Sequence, residues 1–382
     1  MSAEEISITE EPQQYSISFQ DIQAASKRIS SLAYKTPVLT SASLNEICGK
    51  DRSLFFKVEA LQRTGSFKFR GALNATLNLI QQKKLQLEED EGPSSNNDTA
   101  THHVVTHSSG NHAAALALAA KLASQSTGSR MEATIVMPSN APQIKVNGVR
   151  GFGGNIVFVE NTNEAREERA DAIVAEREAT FIHPSENEFV IAGQGTACLE
   201  FVNQVQEMVH GGTAGAGAGN LDAVIIPVGG GGLAAGNTIA LRGMLGPNVK
   251  IILAEPEELD DAKRSKDAGK LLGHGADNEL KSVADGLKTT LGPNTWPIVR
   301  DLVDDIITVS EDDILRATKL IWERLKVCIE PSAGVGVAVA LGTEFREKYP
   351  AVEAGVKNVG VILCGGNVDV VKIAKLMETR GV

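Results

Sequence analysis

Ile22, Ala25, Ile29 and Leu32 recur at intervals of three and four residues, one face of a helix, and the pattern stops before Thr36-Pro37. After the apolar run Leu54-Phe55-Phe56-Lys57-Val58 the chain reads as a loop entering a second helix, whose buried face is Leu73, Leu77 and Ile80. Residues 88–101 contain GPSSNNDTAT, a polar insertion with nothing to bury. The pattern then alternates. A short strand at 103–107, a Ser-Ser-Gly-Asn turn and an alanine-rich helix at 112–123 lead into strand 133–137, helix 142–150, strand 155–159 and helix 162–178. Such alternation predicts a parallel sheet. Gly193-Gln194-Gly195-Thr196 reads as the opening of another helix, which runs into GGTAGAGAGN at 211–220, a second insertion. A strand at 223–228, four glycines, a helix from Leu233 and a strand at 250–254 follow. Ser310 with Asp313 resembles an N-terminal cap for a helix reaching Lys326, and a strand at 360–363 runs into Cys364-Gly365-Gly366-Asn367. The expectation is an α/β protein with two parallel-sheet-based domains. A small one at 103–186 is set within a larger one formed by 17–102 and 187–382, and residues 1–16 form a disordered tail.

Composition narrows the partners. The 37 Lys and Arg against 48 Asp and Glu give a net charge of −11, which argues against a broad nucleic-acid surface, though not against a local basic pocket. Aromatic residues make up 4%, too few to suggest a base-stacking platform. Cys48, Cys198, Cys328 and Cys364 form no CxxC pair, which suits a reducing, cytoplasmic setting. No apolar run nears the roughly 18 residues of a membrane span, and residues 1–16 do not resemble a secretory signal. With 37 glycines, many tight turns or ligand-approach loops are expected.

Lys68 stands between Phe67 and Phe69 at the loop-to-helix junction. Apolar surroundings lower an ammonium pKa, and a desolvated lysine is the usual amine for a Schiff base with an aldehyde such as pyridoxal phosphate. A surface lysine lying along an apolar face is the plainer reading. Gly229, Gly230, Gly231 and Gly232, between a strand and a helix, suit a phosphate held by backbone amides. A dinucleotide reading competes, because Gly230-x-Gly232-x-x-Ala235 is followed by Glu255 at the next strand end. Ser108-Ser109-Gly110-Asn111-His112 forms a second strand-to-helix turn that suits a carboxylate or an ordinary helix cap. His102, His103, His107 and His112 straddle a strand and a turn, which is not a zinc pattern. The acidic stretch from Glu255 to Asp261 suits magnesium or calcium, or a solvated charge run. Cys364 at a strand end reads as a core thiol or as a weak partner for a ligand heteroatom.

Taken together, TGSFKFRGALN, HSSGNH, IAGQGT, PVGGGGL, ADGLKTTLGPNTWP, EPSAGVG and CGGNVD resemble, in content and order, the fold-type II pyridoxal-phosphate enzymes (tryptophan synthase β-like). The resemblance is closest to the racemase branch of the serine/threonine dehydratase family and runs from about Ile22 to Asp369. It settles the glycine loop against NAD. It implies that Lys68 is the Schiff-base lysine, that Phe67 and Gly286 flank the cofactor ring, and that Asn111 meets the ring hydroxyl. The four glycines would cup the phosphate, and Cys364 would stand where many members have serine at the pyridine nitrogen. Ser108, Ser109, Asn111 and His112 match the substrate-carboxylate loop, with Thr289 a bystander and Ser185 where substrate choice is tuned. Glu255, the Leu259 carbonyl and Asp261 match a divalent-cation site for magnesium, calcium or manganese. Ser109 would be the second acid, opposite Lys68, which racemisation requires and which dehydratases often replace with alanine. The implied activity interconverts L- and D-serine, with side elimination to pyruvate and ammonia. The rival is an ammonia-lyase for serine, threonine or 3-hydroxyaspartate. The resemblance further implies a homodimer and ATP as an allosteric effector, with no nucleic-acid or membrane partner.

Overall fold

A computed structural model describes residues 15–49, 51–91, 101–210, 220–274 and 280–382. Most of the expected tail (residues 1–14) and most of the two expected insertions (residues 92–100 and 211–219) lie outside the described residues. Helix α1 (Phe19–Ile29) buries Ile22, Ala25 and Ile29, and it opens on a reciprocal cap between Ser18 and Asp21. Strand β1 (Val38–Leu39), helix α2 (Ala42–Cys48) and strand β2 (Ser53–Val58) follow. Helix α3 (Lys68–Glu91) starts at Lys68 itself. It continues through Glu88, where the polar insertion was expected to begin, because its Gln, Lys, Leu and Glu residues are good helix formers.

The alternation predicted from the apolar pattern comes next: β3 (Thr101–Thr106), α4 (Asn111–Thr127), β4 (Arg130–Pro138), α5 (Gln143–Gly151), β5 (Asn155–Val159), α6 (Asn163–Arg177) and β6 (Thr180–Phe181). These strands form one parallel sheet in the order β5-β4-β3-β6. The chain continues with α7 (Glu188–His210), β7 (Ala223–Pro227), α8 (Gly232–Leu245), β8 (Lys250–Pro256) and α9 (Asp261–Ala268). It ends with α10 (Trp296–Leu302), β9 (Asp305–Val309), α11 (Glu311–Arg324), α12 (Pro331–Leu341), α13 (Thr343–Lys348), β10 (Asn358–Leu363) and α14 (Val370–Arg380). The second sheet runs β1-β2-β10-β7-β8-β9, parallel except for the β1–β2 pair. Ser310 caps α11 by accepting from Asp313 N, as its sequence suggests.

One glycine pair has a different role from the one expected. Gly193 and Gly195 lie inside α7, five and seven residues past its start, rather than opening it. A Cβ on Gly193 would come within 2.6 Å of Gly71 Cα in α3, and one on Gly195 within 2.6 Å of Gly236 O in α8. Missing side chains thus let α7 lie against both neighbouring helices.

Beneath Lys68 lies a buried lattice of charge. Arg70, two residues into α3, donates from Nε to Glu59 Oε2 at 2.7 Å and from Nη2 to Glu59 Oε1 at 2.8 Å. Its Nη1 and Nη2 also reach Glu200 at 2.8 and 2.9 Å. Lys57 donates to Glu200, Gln204 and the Thr36 carbonyl at 2.8, 2.8 and 2.9 Å. Farther along, Phe69, Ala72 and Leu73 of α3 join a core with Val104 of β3 and Leu116 of α4, and α3 packs against α4 and α7.

Candidate active site

The loop before Lys68 is fastened to the chain that leaves β10. Phe67 N donates to Cys364 O at 3.1 Å, Gly366 N donates to Gly65 O at 2.9 Å, and Ser66 forms a bridge with Gly365. Thr64 and Gly65 turn the chain at φ 61° and 74°. Gly65 supplies its left-handed angle at no steric cost, and a Cβ there would run into Asn367. Lys68 is part-buried, and its Nζ donates to Pro184 O at 2.9 Å and lies 5.1 Å from the Phe67 ring centre. Burial lowers its pKa to about 8 against the pull of Cys364 and Glu330. The amine therefore titrates within reach of neutral pH, as the Schiff-base reading of the sequence requires.

The turn that holds Lys68 also abuts the glycine loop. His183 Nδ1 accepts from Ser185 N and Glu186 N at 3.1 and 2.9 Å, which fixes the turn. A Cβ on Gly230 would lie 2.6 Å from Ser185 Oγ, and one on Gly232 would lie 3.0 Å from Ser185 Cα. On the other side, Gly229 presses on Leu287, and Gly231, at φ 79°, on Leu291 and Thr295. Among the described residues, the amides of these four glycines have no hydrogen-bond acceptor, and α8 begins there with no side-chain cap. Donors at a helix start fit a phosphate.

Glu330, in the EPSAGVG motif, is a further participant that the sequence pattern does not single out. It is buried at 4% exposure, and both of its oxygens accept from Asn111 Nδ2, at 3.0 and 3.2 Å. Glu330 N donates to Gly365 O at 3.0 Å. Gly286, whose N donates to Ser332 Oγ at 3.0 Å, borders the same carboxylate. Burial pushes the Glu330 carboxyl up to about 7, with Asp285 adding to the effect. Asn111 is engaged at both ends, since its Oδ1 accepts from Asn367 Nδ2 at 2.9 Å. A ring hydroxyl would share Asn111 Nδ2 with Glu330. Cys364 is buried, and its thiol is pushed well above its ordinary value by burial and by Glu330, so it stays neutral.

Ser108 and Ser109 are part-buried just ahead of α4, whose N-cap, Gly110, makes no side-chain cap bond. The His112 side chain turns away from a charged role. Its Nε2 lies 3.2 Å from Ile182 O, and burial lowers its pKa to about 3 with Lys68 contributing, so it brings no positive charge to a carboxylate. Its Nδ1 is buried without a partner, as are Thr64 Oγ1, Ser66 Oγ and Thr106 Oγ1, all on segments that border this space. Polar atoms left unpaired around the lysine, together with the free glycine amides, are what a phosphorylated pyridine aldehyde could satisfy. The residues fit that group.

The expected cation site lies at the end of β8. Glu255 accepts from Ala262 N and Lys263 N at 2.9 Å each and so caps α9. Asp261 Oδ1 lies 3.4 Å from His274 Nε2, while Oδ2 is buried without a partner. Burial raises the two carboxyls, Glu255 to about 8 and Asp261 to about 6. Among the described residues no three His, Cys, Asp or Glu side chains come together as a metal cluster. The set is two carboxylates and the Leu259 carbonyl; the unpaired Asp261 oxygen and the second lone pair on each Glu255 oxygen leave room for a cation. Glu255, turned inward onto α9, is no ribose ligand.

Residues 29–365 match the family of pyridoxal-phosphate dependent enzymes. The chain is similar to serine racemase from Rattus norvegicus, at 44% identity over 96% of this chain and 98% of that one. Among solved structures it is similar to serine racemase from Dictyostelium discoideum, with a TM-score of 0.76 and 40% identity over 93% of this chain and 100% of that one. It is also similar to a threonine deaminase from T.th., with a TM-score of 0.75 and 37% identity over 92% and 99%. Among the described residues no helix is long and apolar enough to cross a membrane. The α/β architecture, the lysine at the head of α3 and the match over residues 29–365 agree: this chain belongs to the pyridoxal-phosphate dependent enzymes of fold type II.

Proposed function

We propose that this chain is a pyridoxal-phosphate-dependent serine racemase that interconverts L- and D-serine, with elimination of serine to pyruvate and ammonia as a side reaction. The observation that carries the reading is Lys68, an amine lowered to about 8, pinned to Pro184 O beside a loop of free glycine amides. Bound at Lys68, the cofactor would supply the electron sink for a carbanion at the substrate Cα. The amides of Gly229, Gly230, Gly231 and Gly232 would hold its phosphate, with Phe67 and Gly286 flanking its ring. Cys364, a neutral thiol, would face the ring nitrogen without fixing a proton there. Ser108, Asn111 and the start of α4 would hold the substrate carboxylate. Lys68 would move the Cα proton on one face and Ser109 Oγ on the other. Glu255, Asp261 and the Leu259 carbonyl would hold a divalent cation, supported by the unpaired Asp261 oxygen. A cytoplasmic homodimer belongs to the same proposal; the four free cysteines suit that compartment.

The test is product analysis on L-serine with cofactor and magnesium, by chiral chromatography beside a pyruvate assay. In Ser109→Ala, D-serine formation should fall by about 10²-fold or more while pyruvate persists, and Lys68→Ala should lose both products. Pyruvate alone from the wild type, indifferent to Ser109, would instead identify an ammonia-lyase, the reading that the likeness to threonine deaminase favours.

A further inference from the structure

At the opposite end of the six-stranded sheet from Lys68, a hollow of about 240 Å³ opens between the start of β2 and the segment entering β10. Strand β2 separates the two places by roughly 20 Å. The floor of the hollow is Arg52, just 5% exposed. Its guanidinium lies 5.0 Å from the Phe345 ring centre and donates from Nη2 to Tyr349 O. Nη1 is buried with no partner, and among the described residues Arg52 has no ion pair. Burial raises the pKa of the neighbouring Cys48 thiol by more than the Arg52 guanidinium lying against its sulfur lowers it, so the thiol is neutral and donates to Ala340 O at 3.2 Å. A guanidinium is always charged, and burying one without a counter-charge is costly.

A second guanidinium lines the same hollow. Arg346 is held by Ile47 O and Thr343 Oγ1 at 3.2 and 3.3 Å and also lacks an ion pair among the described residues. Pro350, Ala351 and Val352 form an apolar side, with Val352 70% exposed. Asp51 and Glu353 stand at the exposed rim, where they would repel a dianion more than a monoanion.

We propose that this hollow binds a small organic monocarboxylate bearing a short apolar group. Its carboxylate pairs with Arg346 at the surface of the hollow, above the buried charge of Arg52, and its apolar end covers Val352. The fork of a guanidinium matches a carboxylate, and the occupant supplies the direct ion-pair partner that Asp51 and Glu353, at the rim, do not give either arginine.

Titration calorimetry and thermal shift on the holoenzyme test this, with 4-methylpentanoate as the probe and acetate, inorganic phosphate and 4-methylpentanol as comparators. In the wild type, 4-methylpentanoate should bind saturably at one site per chain and raise Tm. The three comparators should bind about tenfold or more weakly, as should 4-methylpentanoate to Arg346→Gln or Val352→Asp. Both substitutions are at accessible side chains and leave the packed Arg52 in place. The proposal is overturned by the absence of saturable binding, or by binding that neither substitution weakens, which would put the probe elsewhere. Phosphate binding as tightly as 4-methylpentanoate would make this a bare oxyanion site and overturn the assigned class.

Discussion

Two clusters of buried charge lie two residues apart along the start of α3, and they solve the same problem in opposite ways. Around Arg70, positive and negative groups are paired: Glu59 accepts from the guanidinium at both oxygens and from Thr36 Oγ1 at 2.6 Å, and Lys57 and Arg70 share Glu200. Burial alone would raise the Glu59 carboxyl, but Arg70 and Lys57 hold it below its ordinary value. Around Lys68 the charged forms are left without close ion-pair partners, and burial shifts each group toward its neutral form. The lysine falls to about 8, Glu330 rises to about 7, and Cys364 stays neutral. A lattice with every partner present is a scaffold, whereas one left unfinished is waiting for a ligand to complete it.

The comparison breaks first at Glu59. Glu59→Leu leaves Arg70 short of its buried partner and should cost about 3–5 kcal/mol, read from urea unfolding; a loss below 1 kcal/mol (roughly the worth of an exposed ion pair) would mean the lattice is no scaffold. Next is Glu330, whose pH dependence runs opposite to that of Glu59. Because its folded pKa is raised from 4.5 to about 7, its contribution is present below 4.5 and lost as pH rises through 7. In the cofactor-free protein, Glu330→Gln should remove roughly 3 kcal/mol of that decline between about pH 4 and pH 8. Parallel stability curves for wild type and variant would count against a displaced Glu330. Glu59, held low, contributes stability that is lost only as pH falls. The smallest effect is expected at Lys57→Met, about 1–2 kcal/mol by the same unfolding measurement. Glu200 keeps both its Arg70 bonds there, and its side chain is 21% exposed.

What the sequence disclosed follows the same division. The strand-to-glycine-to-helix passage at Pro227 and Gly232, the alanine-rich α4 and the Ser310 cap were legible because each has a local cause, an apolar run or a capping pair. Gly193 and Gly195 misled because a glycine that admits a neighbouring helix looks, in sequence, like one that starts a turn. Helix α12 gave no periodic signal, being buried on all sides. At the site, Lys68 and the glycine loop announced themselves, but Glu330 and Pro184 O did not. Their roles arise from contacts with Asn111, 219 positions away, and with Lys68, 116 away, which no local pattern encodes.

Strand β10 lies in the middle of its sheet, between β2 and β7, and the chain just beyond it fastens the loop that presents Lys68. Asn367 and the Thr64 carbonyl it clasps are 303 positions apart. During synthesis on a ribosome, β2 and the lysine are made early but have neither their central sheet neighbour nor their clasp until residues 358–367 emerge. The clasp on the loop before Lys68 therefore closes late in the life of each new chain, and a product stalled before β10 is left with two unpaired strand edges, a ready substrate for chaperones or for aggregation.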